Sequence, residues 1–530
     1  MEQQNDLQKR LLIALVLSFL VFVIFDMFMP KKAKNIDNNG TVVTQNTPAT
    51  TQQQTPQIAN SSTTQAPAAG QNAAPVSTIK ALTTVTSDRF VYTIDDFGRI
   101  AQVKMLEKKY EYEGKKLELL NTAWVKPLEI RFADTTLNAE SLKTPYTTSA
   151  TAINLESNTK ITLTQKLSST TVIKELTFYK DGHYDINIKL SSPEQYFITT
   201  GQRPDADHTR YMVVQGSLIK KTNGVVEIIE DGDAEGSMSV PNAEFASSFD
   251  RYFTSILYNF NKPLNISTLT VDEENALIFI HGEQSFTLHG YIGPKESEIL
   301  KNINPNLTDA IEYGWFTFIS KPLFKVLEWF HGLVGNWGWA IVLVTLLIKL
   351  ILFPLSYKGM MSMQKLKDLA PQMKELKEKY SKDPQKMNAQ MMEMYKKNGA
   401  NPMGGCLPMI LQIPIFFAIY RVLLNAVELQ GAPWVLWITD LSLKDPLFIL
   451  PILMGASMWY QQRITPNTMT DPMQQKIFQW LPVVMTFFFL TFPAGLVLYW
   501  LVTNVFTIAQ QYVINNAFEK QKAAKVASQK

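Results

Sequence analysis

The chain has 530 residues, with 50 Lys plus Arg against 47 Asp plus Glu, a formal net charge of +3. That balance excludes a strongly basic nucleic-acid binder and a strongly acidic disordered chain, so no specific nucleic-acid recognition is expected. A single cysteine, Cys406, excludes an intramolecular disulfide framework and a Cys-rich metal site.

Residues 11–29, LLIALVLSFLVFVIFDMFM, carry one charge, Asp26. At 1.5 Å per residue such a helix crosses most of a ~30 Å hydrocarbon core. Met-Pro-Lys-Lys follows, without the small-residue pattern of a cleavage site. Residues 1–30 therefore read as an uncleaved transmembrane signal anchor. Residues 31–79 are Thr, Gln, Asn, Ala and Pro with few charges and no aromatics. Such a segment buries too little apolar surface to offset its ordering entropy, so it reads as a disordered tether.

Residues 80–300 alternate with period two, as in RFVYTID (89–95), TVIKELTFY (171–179), YDINIKL (184–190) and ALIFIHG (276–282). Turn signals such as DDFG and KDGH separate the runs, which predicts antiparallel strands and one large β-sandwich. His183, His208, His281 and His289 are scattered, with neither metal spacing nor a nucleophile motif. Residues 309–335 place Ile311, Trp315, Phe318, Ile319, Leu323, Leu327 and Phe330 on one helical face, interrupted by Lys321, Lys325 and Glu328. Within 301–336 this pattern predicts an amphipathic helix in the membrane interface; a buried globular helix is the competing reading.

Five apolar segments follow within 337–516, at about 338–356, 404–426, 446–461, 477–492 and 494–516. Trp434 and Trp437 suit interfacial anchoring, and Phe-Pro-Ala-Gly (492–495) predicts a tight helical hairpin from the last two spans. The intervening loop 357–403 holds ten lysines against five acids, and the tail 517–530 is also lysine-rich. Lysine-rich segments stay cytoplasmic, so this loop and both termini are expected inside, 427–445 and the β domain outside. With the anchor this gives six spans. Within 357–403, Met363, Leu366, Leu369, Met373, Leu376 and Tyr380, then Met387, Met391 and Met394, follow helical spacing around a Ser-Lys-Asp-Pro turn. They predict an antiparallel helical hairpin whose Met-rich stripe packs the two helices, binds partners, or both.

Lys349 lies inside the apolar run GWAIVLVTLLIKLILFPLS. A charge at that depth costs ~2.5–3.5 kcal/mol on insertion scales. Snorkelling is one explanation. The other is a water-filled groove, for which polar residues exist on several spans: Thr345, Gln412, Thr503, Asn504, Thr507 and Gln510. Arg421, near the outer end of its span, reads as a snorkelling residue. No GxxxxGK[ST] motif is present, so no nucleotide is expected.

These residues carry a resemblance. YGWFTFISKPLF (313–324), GNWGWAIVLVT (335–345), NPMGGCLPMILQIPIFFAIY (401–420), VELQGAPWVLWITDLS (427–442), DPLFILPILMG (445–455), TDPMQQKIFQWLPVVMTFFF (470–489) and FPAGLVLYWLVTN (492–504) are similar to the YidC/Oxa/Alb membrane protein insertases, in layout the Gram-negative type. YIGPK (291–295) extends the match into the β domain. The resemblance implies a periplasmic β-supersandwich and an α-helical polytopic core in the bacterial inner membrane. It also implies a non-enzymatic role inserting membrane proteins, alone or with the Sec translocon, through a hydrophilic groove open to the cytoplasm. The positive residue usual on the first core span is arginine; Lys349 stands there. Two adjacent tyrosines are usual on the last span, where Tyr499 and Trp500 stand. The groove set is then Lys349, Thr345, Gln412, Trp500, Asn504 and Thr507, without cofactor or metal. The partners implied are nascent membrane proteins, lipid, and, at the cytoplasmic hairpin and the 462–476 loop, ribosomes and targeting factors. A membrane-anchored periplasmic carbohydrate-binding module is the alternative.

Overall fold

The computed structural model describes residues 80–112, 114–207, 213–271, 275–380, 383–399, 407–465 and 472–528. The expected anchor, the tether, His208, Cys406 and residues 466–471 lie outside the described residues. The described chain divides into two units, 368–401 and the remainder.

The period-two runs are strands. A four-stranded sheet is ordered Ile100–Met105, Phe90–Asp95, Ala81–Thr86 and Ala152–Asn154. A thirteen-stranded sheet runs from Ile130–Phe132 through Tyr196–Thr199, Asn275–His281, Leu264–Val271, Ser237–Phe249, Phe253–Tyr258, Ser285–Pro294, His183–Leu190, Thr171–Phe178 and Thr159–Lys166 to Thr147–Thr148. Gly216–Lys221 and Val226–Glu230 branch from Ser237–Phe249. Val85, Tyr92, Ile94 and Val103 of the smaller sheet and Val172, Leu176, Ile186 and Leu288 of the larger one share one apolar core. The Tyr92 hydroxyl ties the two together, 2.8 Å from each of the carbonyls of Gly182 and Ile292.

Strand Thr171–Phe178 buries every second residue, and one of them is Lys174. Its ammonium donates to the Gly98 (2.9 Å) and Leu128 (2.8 Å) carbonyls. Burial pushes its pKa down to about 7, against attraction from Asp95. Between pH 7 and 10.5 the unfolded chain therefore binds more protons than the native one, and native stability rises with pH, by at most about 1.4 kcal/mol per pH unit. Lys174→Met is expected to flatten that slope. Denaturant titrations of both proteins from pH 6.5 to 9.5 check it, and parallel pH profiles for variant and wild type would refute it.

Seven helices matter beyond residue 316: α1 (Thr317–Val334), α2 (Trp337–Ile351), α3 (Phe353–Lys379), α4 (Pro384–Lys397), α5 (Leu407–Asn425), α6 (Ile449–Ile464) and α7 (Pro472–Phe489). An eighth, α8 (Ala494–Ser528), closes the chain. α1 is shorter than the expected 309–335 helix. Residues Pro305–Ala310 and Gly314–Phe316 are separate 3-10 turns, and Gly314 holds a left-handed φ of 68° that a continuous helix forbids. The expected apolar face splits accordingly: Leu327 is buried, whereas Phe318 is 74 % exposed.

α2 passes into α3 through a 62° bend at Leu352, two residues before Pro354. Among the described residues one helical stretch, Ala494–Ala524, is by itself long and apolar enough to cross a membrane, and the bent pair α2–α3 passes the same test together. α6, α7 and α5 are shorter or contain prolines.

The expected tight hairpin of the last two spans does not form as a packed pair. α6 packs along α8, and α7 packs on α6. α7 and α8 meet near their connection, where the Phe489 ring lies 4.8 Å from Trp500. The reason is the segment before α6: Leu443 accepts from the Ala494 amide (2.7 Å) and Lys444 bridges to Pro493, which draws α6 alongside α8.

In the 368–401 unit, α3 and α4 form the expected hairpin around Asp383, which caps α4 through the Lys386 amide. Leu369 and Tyr395 are buried, and the Tyr395 hydroxyl lies 3.4 Å from Met373 Sδ. The Met stripe thus contributes to packing the two helices.

The β domain and the helices share a second apolar core. Phe245, Phe249 and Ile256 from strands join Leu307, Tyr313, Leu327, Ile341 and Val422.

Candidate functional site

Lys349 sits on α2, twelve residues beyond its start, hence about 18 Å along the helix. Gln412 lies thirteen residues before the end of α5 and Thr507 thirteen after the start of α8, each about 20 Å from the same side of the bundle. Three helices thus bring three polar groups to one level. The Lys349 ammonium lies 3.1 Å from Thr507 Oγ1 and 3.5 Å from Gln412 Oε1, the latter at the limit of a hydrogen bond. Gln510, one turn further along α8, approaches the Lys349 carbonyl at 3.4 Å.

Lys349 is 8 % exposed. Among the described residues no carboxylate lies within ion-pairing distance of it. A buried ammonium held by two neutral oxygens keeps unsatisfied demand for negative charge, because each acceptor supplies a partial dipole only. The Lys349 head group reaches across to Gln412 of α5 and Thr507 of α8 from the last turn of α2.

The other expected groove residues lie elsewhere. Thr345 is buried and donates to the Ile341 carbonyl of its own helix (2.7 Å). Asn504 turns toward α6 and donates to Ser457 Oγ at 3.0 Å. Trp500 packs its ring on Phe416 (4.9 Å) and Phe489 (4.8 Å). Of the six, Lys349, Gln412 and Thr507 come together, Asn504 and Trp500 contact neighbouring helices, and Thr345 bonds within its own. Ser457 escaped the sequence reading, since a lone serine in a span carries no signal.

At the opposite end of the bundle the β domain is joined by polar contacts. Arg251 Nε donates to the Leu424 carbonyl at the end of α5 (2.7 Å). Asn425 Nδ2 donates to the Glu312 carbonyl (3.1 Å). Arg421 Nη1 lies 3.7 Å from Oε2 of the buried Glu312, an ion pair at this end of the bundle. Glu428 accepts from the Ser297 amide at 3.0 Å, and burial pushes its carboxyl up to about 7. Trp434 and Trp437 are keyed into this end: Trp434 covers Gly338, and Trp437 Nε1 donates to Asp445 (3.0 Å).

Comparison with known proteins places this arrangement. Residues 329–522 match the family described as the 60Kd inner membrane protein, and 242–326 match the YidC periplasmic domain. The chain is similar to membrane protein insertase YidC of Campylobacter jejuni, 48 % identical over 99 % of this chain and 100 % of the relative. It is similar to the protein of that name in Wolinella succinogenes, 46 % identical over 98 % of this chain and 97 % of the relative. The corresponding Helicobacter pylori protein is 46 % identical, covering 98 % of both chains. With matches of this identity running through both the β domain and the helices, the chain belongs to the YidC membrane protein insertase family.

Proposed function

We propose that the protein is a membrane protein insertase of the inner membrane, non-enzymatic in mechanism, acting on nascent membrane proteins. Near full-length identity to insertases carries the reading. The carbohydrate-binding alternative is not favoured, because the matches run through the helices as well as the β domain.

The proposal extends to topology: six spans made of the 1–30 anchor and five core segments, both termini cytoplasmic and the β domain periplasmic. Large apolar side chains on the outer surfaces of the helices support it. Phe417, Ile452, Trp459, Trp480, Phe487, Val505 and Val513 are all exposed, as lipid-facing residues are. The Sec translocon, ribosomes and targeting factors are the partners proposed, the last two at the 357–403 hairpin and the 462–476 loop.

In mechanism, a substrate's polar tail enters from the cytoplasmic side. Lys349 attracts its acidic groups, and Gln412 and Thr507 solvate its backbone. Burial of about 20 apolar residues in lipid then drives the tail across. Purified protein in liposomes is expected to insert a small single-span substrate without nucleotide, scored by protection of its tail from added protease. No protection above empty liposomes would overturn the reading.

A further inference from the structure

The strand Gly216–Lys221 has two faces. Ile219 packs into the core between the sheets, whereas Leu218 joins Phe245, Phe249 and Leu307 in the core shared with the helices. Register carries both faces outward to the edge strand Val226–Glu230. Val226 lies opposite Lys220 and Ile228 opposite Leu218, so both continue the helix-side face; Glu227 lies opposite Ile219, on the other. Leu218 is fully buried, yet Val225, Val226 and Ile228 are exposed. Protein covers this face as far as Gly216–Lys221 and stops one strand short of the edge.

The hairpin is also fastened to α1. Lys220 Nζ donates to Asp309 Oδ2 (2.6 Å), and Lys321 of α1 pairs with Asp309 Oδ1. One carboxylate thus holds the hairpin beside the start of α1, where Phe318 is exposed. The uncovered apolar edge and the uncovered ring belong to one side of the molecule, the side on which the β domain meets the helices.

We propose that this hairpin rests its helix-side edge on the outer leaflet of the lipid bilayer, with Val225, Val226 and Ile228 at the boundary between headgroups and acyl chains. The proposal rests on the topology given above, with the β domain outside and α1 in the interface. Lipid is the apolar phase that surrounds the helices, so a face continuous with the helix contact and left open at its edge meets lipid first. The attraction is apolar: the one cation on this face, Lys220, is buried against Asp309 and Glu244, so a neutral phosphatidylcholine surface suffices. Depth is limited by the backbone. Among the described residues Val226–Glu230 pairs on one side only, and its outer amides and carbonyls need water or headgroups, which hydrocarbon withholds. Glu230, exposed opposite Gly216, ends the apolar stretch.

The test uses the full-length protein with Cys406→Ser and one new cysteine: Val226→Cys, Ile228→Cys, Glu227→Cys or Phe318→Cys. Each is labelled with a small fluorophore and reconstituted at low density in phosphatidylcholine vesicles. Quenching by lipids carrying a nitroxide near the headgroup is read against quenching by aqueous iodide. The ratio of lipid to aqueous quenching is expected to be about threefold higher at positions 226 and 228 than at 227. Equal ratios at the three positions overturn the proposal. Lipid quenching at 318 with iodide quenching at 226 and 228 overturns the hairpin contact alone; iodide quenching at all four positions removes the interfacial placement of α1 with it. Shielding from both quenchers that rises with protein density identifies a second copy on the edge and overturns the lipid contact. Ile228→Asp is expected to bring the label at 226 down to the ratio seen at 227. An unchanged ratio would show that the label and not the edge seeks lipid, which also overturns the proposal.

Discussion

Lys349→Glu is expected to lower the insertion rate of a single-span substrate with an acidic tail by more than tenfold, with Lys349→Ala intermediate and Lys349→Arg close to wild type. Two unit charges 4 Å apart at an effective dielectric of 20 interact by about 4 kcal/mol, and tenfold in rate requires about 1.4 kcal/mol. Even a third of the Coulomb energy therefore suffices, and reversal turns attraction into repulsion. Arginine keeps the charge and adds a fork that carboxylates accept in pairs. Lys349→Ala and Lys349→Arg leave no native carboxylate orphaned, whereas Lys349→Glu puts an unpaired carboxylate at a position that is 8 % exposed, so its folding is checked alongside its rate. A substrate with a neutral tail is the control and is expected to respond several-fold less. Equal rates for wild type, Lys349→Ala and Lys349→Glu on the acidic-tailed substrate would sink the charge argument.

The strands of the β domain were legible because their faces differ: Val172, Leu176 and Phe178 point inward while Ile173, Glu175 and Thr177 alternate with them. Lys174 shows the limit of that reading. A lysine in the inward register reads as a break in the pattern, yet two carbonyls contributed by distant loops receive it. The α3–α4 hairpin was legible from spacing and from Asp383-Pro384, a cap followed by a residue suited to a first turn. The packing order of the last helices was not. It depends on amides at Ala494 and Gly495 meeting carbonyls fifty residues away, and backbone groups leave no trace in side-chain pattern. The same holds for the site. Lys349 stood out as a charge in an apolar run and Gln412 and Thr507 as polar residues on other spans, but that the three reach one level depends on where each helix begins and ends. Whether Asn504 faced Lys349 or Ser457 turned on a rotation about α8 that periodicity leaves open, because α8 carries polar residues on more than one face.

Arg421→Leu is expected to destabilise the union of the β domain with the helices by about 2 kcal/mol at pH 7.5, between the values for exposed and fully buried ion pairs, because Glu312 is buried while the Arg421 side chain is 30 % exposed. Glu312 is buried, and burial raises its pKa even with Arg421 and Lys295 nearby. Without Arg421 the carboxyl moves higher still. The sign follows from linkage. A carboxyl whose native pKa exceeds its unfolded value binds more protons in the native state, so stability falls as pH rises through that interval. The deficit of Arg421→Leu is therefore absent below the unfolded value of about 4.3, grows above it, and is full once pH exceeds the native value. Arg421→Leu combined with Glu312→Gln removes the buried charge together with its partner. That double variant is expected to recover most of the loss, because replacing both members of a buried pair costs far less than orphaning one. Thermal unfolding of the full-length single and double variants at pH 4.5 and 7.5 measures this. A deficit of the same size at both pH values, or a double variant no better than Arg421→Leu, would show that Arg421 acts through packing against Gly314 instead of through the Glu312 charge.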